Sequence, residues 1–116
     1  MQCSRCLLTA FTARAALRGA LGLRDVPLQV HPSCRTAGAD AADRTLGDYL
    51  AGQLAAMDRP ANTVAAACTA AGAGRQTCSV WFRHRSDEER WAWGLSFELD
   101  ARGRPQARTL RCLGAG

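Results

Sequence analysis

The chain has 116 residues, 47% of them hydrophobic, with six cysteines and a formal net charge of +5. That length fits one domain with a thin core, and no stretch reaches the roughly 20 apolar residues that a membrane-crossing helix needs. All 15 basic residues are arginine, scattered with no basic helix and no nucleic-acid motif, so the charge favours anionic partners without pointing to a nucleic acid.

At the N-terminus, residues 5–22 read as a helix, with Leu7, Leu8, Phe11, Ala15, Leu17 and Leu21 as an apolar stripe and Gly22 at the C-cap. The same region has the outline of a weak secretory leader. Arg5 precedes a short apolar run, and Ala13-Arg14-Ala15 offers a small-residue cleavage site. If the leader works, the protein is periplasmic or secreted; otherwise it is cytoplasmic. Val26 to Val30 is a short extended piece that Pro27 confines to an edge or linker. Residues 31–43 are rich in turn formers and read as a loop.

Residues 44–58 carry Leu46, Tyr49, Leu50, Leu54 and Met57 at spacings of three and four, an amphipathic helix capped by Asp40 or Asp43 and ended by Pro60. Gly47 and Gly52 each weaken it by about 1 kcal/mol relative to alanine. Residues 62–71 are ambiguous. Their alanines favour helix, whereas Pro60 before and Gly72-Ala73-Gly74 after favour a strand, and strand is the expectation.

Residues 76–85 place Val80 and Phe82 on one parity and Trp81 and Arg83 on the other. Residues 90–99 alternate Trp91, Trp93, Leu95, Phe97 and Leu99 with small or polar residues, the mark of a strand with one buried face. Asp100 to Gly103 reads as a hairpin turn, and 107–113 as a last strand with Leu110 and Cys112 on one face. The fold class is therefore α+β, with one or two helices packed on a three- to four-stranded antiparallel meander. It divides into 1–43, a helix or weak leader plus loop, and 44–116, a helix plus sheet. A helix followed by four strands resembles cystatin-like architecture in element order.

No constellation for catalysis emerges, and the reading leans away from an enzyme and names no cofactor. His84 lies between two arginines that would depress its pKa. Cys78 and His84 share parity but stand about 20 Å apart along an extended strand, too far to act together. Asp87, Glu88 and Glu89 read as a solvated turn. If Val80 and Phe82 face inward, Trp81 faces outward beside Arg83 and Arg85, an anchor of the kind protein interfaces favour. The leading expectation is a small non-enzymatic binding or inhibitor-like module whose partner is another protein, acting through Trp81, Arg83 and Arg85.

The cysteines support two readings. Cleavage near Ala15 would leave Cys34, Cys68, Cys78 and Cys112, which allow three disulfide pairings. Cys68 and Cys78 stand symmetrically about the glycine turn, Cys34 with Cys112 would pin the loop to the sheet, and free buried thiols are the alternative. The competing reading is a cytoplasmic, zinc-stabilised interaction protein. In it Cys3-x-x-Cys6 and His31-x-x-Cys34 supply three sulfurs and an imidazole.

Overall fold

The computed structural model describes residues 4–28, 32–35, 45–59, 61–85 and 90–115, with the backbone alone at 4–11, 32, 35, 85, 90–92 and 115. In chain order the elements are α1 (Ser4–Gly22), the single turn α2 (Pro32–Arg35), α3 (Leu46–Ala56), β1 (Thr63–Gly72), β2 (Arg75–Arg85), β3 (Arg90–Leu99) and β4 (Pro105–Ala115). The strands form one antiparallel meander in the order β1-β2-β3-β4. The architecture is α+β, with helix packed on sheet.

β3 supplies the centre of the core. Trp93, Leu95, Phe97 and Leu99 are buried on one face, and Ser96 and Glu98 lie between them on the other. β2 adds Cys78, Val80 and Phe82 to the buried face, and β4 adds Leu110 and Cys112. Each large side chain withdrawn from water contributes about 1.5–3 kcal/mol. The ambiguous segment 62–71 is strand. β1 runs beside β2 from Thr63 opposite Arg83 to Gly72 opposite Arg75. The turn between them has Ala73 at φ 55° and Gly74 at φ 78°, the two positive values of the type I′ loop that suits a twisted hairpin.

β4 departs from the expected 107–113. It begins at Pro105, where a strand tolerates proline because no ladder donor is needed, and it contains a wide irregularity. Ser96 faces Arg111 but Glu98 faces Gln106, so five steps of β4 span two of β3. Thr109 fills the gap, its hydroxyl accepting from the Glu98 N–H at 2.8 Å and donating to the Gln106 carbonyl at 2.6 Å.

α1 forms where the periodicity placed a helix, but the described part of the expected stripe is not what it buries most deeply. Leu21 is 49% exposed, and Ala15 and Leu17 are only half-buried. The residues buried on the sheet are Ala16, Gly19, Ala20 and, just past the helix, Leu23. Close approach is the reason. A Cβ on Gly19 would lie 2.5 Å from the Phe97 ring and 3.1 Å from Leu99, so the bulk at this contact comes from the sheet and the helix supplies the gap. The side chains of Leu7, Leu8 and Phe11 lie outside the described residues, and Ala13 to Ala15 are helical.

α3 is capped by Thr45, whose hydroxyl accepts from the Asp48 N–H at 3.3 Å. Asp40 and Asp43, the expected caps, lie outside the described residues. The first turn of α3 is fastened to the chain after α1: Leu46 N–H donates to the Val26 carbonyl and Gly47 N–H to that of Arg24, both at 2.8 Å. Gly47 is needed there, because a Cβ would stand 2.8 Å from Cβ of Arg24. Leu46 and Leu50 are buried and Tyr49 half-buried, while Leu54 is 42% exposed and stands off the stripe. One cluster of buried side chains includes Ala16, Ala20 and Leu23 together with Leu46, Phe82 and Phe97. Two disulfides fasten the sheet: Cys68–Cys78 bridges β1 and β2, and Cys34–Cys112 ties α2 to β4.

Candidate functional site

The strand pairing fixes which residues share the face of the sheet opposite the core. One row runs Ala65, Trp81, Gly94, Leu113 across the four strands. The next runs Ala67, Ser79, Ser96, Arg111. Beyond it, Thr69, Thr77 and Glu98 align, with Arg75 at the hairpin end. On the other side of Trp81, Thr63 faces Arg83. Ala65, Ala67, Thr69, Arg83 and Arg111 are exposed. The helices contribute their buried residues to the opposite side, where Phe82 and Phe97 lie.

Trp81 is half-buried, on the face opposite the one where the described helices bury their side chains. Its indole lies flat on its own sheet, over the bare backbone of Gly94. A Cβ there would come within 2.7 Å of Cδ2 and 2.8 Å of Cε3 of the ring, and 2.7 Å from the Val80 carbonyl. An aromatic resting on a glycine of the adjacent strand protects that strand's backbone from water and fixes the ring. Part of the indole is thus used for packing, and the residue as a whole is half-buried. Arg83 shares this face. Arg85 continues the same parity at the end of β2, opposite Arg90, and its side chain lies outside the described residues.

Two rows from Trp81 the face sinks into an open depression of about 390 Å³ lined by Thr77, Ser96, Glu98, Arg108, Thr109 and Arg111. A smaller one of about 170 Å³ adjoins it at Arg75 and Asp100. Arg75 reaches Glu98 at 3.5 Å, both partly exposed, a pair worth little in water. The face therefore carries Arg75, Arg83, Arg108 and Arg111 against Glu98. It combines an ordered aromatic with a hydroxyl-lined basic hollow. Reading the sequence missed Arg108 and Arg111, because the irregularity that turns Arg108 to this face has no signature in residues 105–111.

His84 belongs to the other face. Its Nε2–H donates to Oε1 of Gln53 on α3 at 2.6 Å. Its pKa is lowered, first by burial and then by the charge of Arg59. Of the two neighbours in sequence expected to depress it, Arg83 projects to the opposite side of the strand and is not among these causes, and the side chain of Arg85 lies outside the described residues. Cys78, considered with His84, is bonded to Cys68. Trp93 stacks on Phe82, ring centroids 5.9 Å apart, and meets Tyr49 in a tilted contact at 4.1 Å. Its Nε1–H is buried and has no hydrogen-bond acceptor among the described residues.

Of the residues expected to hold zinc, only Cys34 has a described side chain. Cys34 is bonded to Cys112, so its sulfur is not a thiolate ligand while that bond stands. Cys3, His31 and the acidic Asp87-Glu88-Glu89 lie outside the described residues, as does the side chain of Cys6.

The structure thus defines a small disulfide-bonded α+β domain with one helix-covered sheet face and one that is bare among the described residues. Comparison with protein-family models, with curated proteins and with solved structures gave no match, so the likeness to cystatin-like architecture remains one of element order.

Proposed function

We propose that the protein is a non-enzymatic binding module that holds a partner protein on the bare face of its sheet, with Trp81 as the anchor. The observation that carries this reading is the pairing of that ordered indole with Arg75, Arg83, Arg108 and Arg111 on one face. A preordered aromatic loses little freedom on binding, and arginines around it recognise carboxylates with directional hydrogen bonds. The partner that fits presents an apolar side chain to Trp81 and acidic residues to the hollow at Arg108 and Arg111. Charge of this kind speeds encounter and selects the partner more than it adds affinity. The two disulfides favour an oxidising compartment, and with the N-terminal apolar segment they support an exported protein.

The test is photo-crosslinking from Thr77, at the rim of the hollow, in the producing organism, followed by mass spectrometry. A single acidic protein captured by the wild-type face, and lost with Trp81→Ala or with Arg108→Ala plus Arg111→Ala in a folded chain, is the expected result. Undiminished capture by both variants would refute the reading.

A further inference from the structure

We infer that the free edge of β1 is a homodimer interface, in which two copies pair β1 antiparallel about a two-fold axis at Ala66 and join their sheets into one. The direction of the backbone groups comes first. In an antiparallel ladder, opposed residues that exchange hydrogen bonds have Cα atoms about 5.5 Å apart, and those whose groups point away have them about 4.5 Å apart. Cys68 and Cys78 have Cα atoms 4.0 Å apart, so the N–H and C=O of Cys68 point away from β2, out of the sheet.

The far side of the sheet gives the same answer independently. The Cys112 N–H leaves the sheet to donate to Oγ of Ser33 at 3.0 Å. Cys112 stands opposite Leu95, Leu95 opposite Val80 and Val80 opposite Ala66. Bonded and non-bonded pairs alternate along such a row, which leaves Ala66 pointing outward as well. Val64, Ala66 and Cys68 therefore present their donors and acceptors at the edge. Among the described residues no backbone hydrogen bond joins β1 to anything but β2.

The two edges of this sheet are treated differently. β4 starts with proline, carries Arg108 and Arg111, has the wide irregularity, and has an outward N–H taken by Ser33. These are the devices by which proteins keep an edge from pairing with another chain. β1 has none of them within Thr63 to Ala70. That stretch is regular, has no proline and no charge, and includes Val64, an exposed large hydrophobic side chain.

A second copy fits this edge by symmetry. With the axis at Ala66, Val64 exchanges hydrogen bonds with the partner's Cys68, and Ala66 with the partner's Ala66. On the bare face Ala65 lies against the partner's Ala67 and Thr63 against the partner's Thr69. Every cross pair on this face is small and uncharged, the Val64–Cys68 pairs on the other face are uncharged too, and threonine pairs on a strand surface are favourable. Two Trp81 faces then lie on one continuous sheet.

Sedimentation of the oxidised full chain, from micromolar to millimolar concentration, tests the interface. The wild type is expected to show a reversible monomer–dimer equilibrium. Ala65→Lys with Ala67→Lys leaves the core untouched, because both positions are exposed. It sets like charges directly opposite and should weaken the dimer roughly tenfold or more. The same positions changed to Glu should behave alike, and an equimolar mixture of the two variants should recover the dimer. A wild type that stays monomeric at millimolar concentration overturns the inference. So does a lysine-substituted chain that dimerises as the wild type does, or a mixture that fails to recover.

Discussion

At the scale of single residues, three positions bear unusual constraint. Gly94 is where a side chain has no room: any Cβ meets both the Trp81 ring and the Val80 carbonyl. Gly94→Ala should cost about 1–3 kcal/mol by overpacking, measured by urea unfolding, and should disturb the near-ultraviolet signal of Trp81. Ala73 holds a positive φ of 55° without being glycine. Ala73→Asn gives the turn the residue its geometry prefers and should stabilise by about 0.5–1 kcal/mol, seen as a higher melting temperature. His84 contributes to the response to pH. Its folded pKa lies below the ordinary value of roughly 6.5 because burial, then Arg59, disfavours the cation. As pH falls through that ordinary value the unfolded chain takes up the proton and the folded chain does not. Stability is therefore greatest above it and declines toward the lower, folded pKa. Melting temperatures between neutral and mildly acid pH should show this decline, and His84→Gln should flatten it.

At the scale of elements, the disulfides divide the work unequally. Cys34–Cys112 closes a separation of 78 residues and Cys68–Cys78 one of 10, for which chain entropy alone suggests about 4.5 and about 2.7 kcal/mol. Replacing the first pair by alanines should lower the unfolding free energy more than replacing the second, read from denaturant midpoints. What the sequence disclosed follows the range of the forces. β3 was legible end to end, because bulky residues at every second position admit one pleated arrangement. The β1–β2 hairpin was legible from Gly72 and Gly74 flanked by Cys68 and Cys78. Trp81 could be placed on the outer face from parity alone, but its rest on Gly94 depends on a register that no single strand contains. α1 was placed correctly along the chain, but of its expected stripe Leu21 is exposed and Ala15 and Leu17 pack only partly against the core. Counting large apolar residues selects Leu17 and Leu21, whereas contact with Phe97 selects Gly19. Nothing local links Cys34 to Cys112, and of three pairings the sequence alone could not choose.

At the scale of the whole molecule, the asymmetry between the two faces of the sheet organises everything else. One face receives the helices and holds Trp93, Leu95 and Phe97; the other is bare among the described residues and holds Trp81 with its arginines. One edge is guarded and, among the described residues, the other has no backbone partner. Binding on the face and pairing at the edge are separable, since Ala65 and Ala67 can be charged while Trp81 and Arg108 remain. The most direct measurement is hydroxyl-radical footprinting of the isolated, oxidised protein, with tryptophan oxidation quantified residue by residue in mass spectra. Trp81 should be oxidised readily and Trp93 protected until the protein unfolds. Equal protection of the two, or faster oxidation at Trp93, would contradict a sheet with one dry and one bare face.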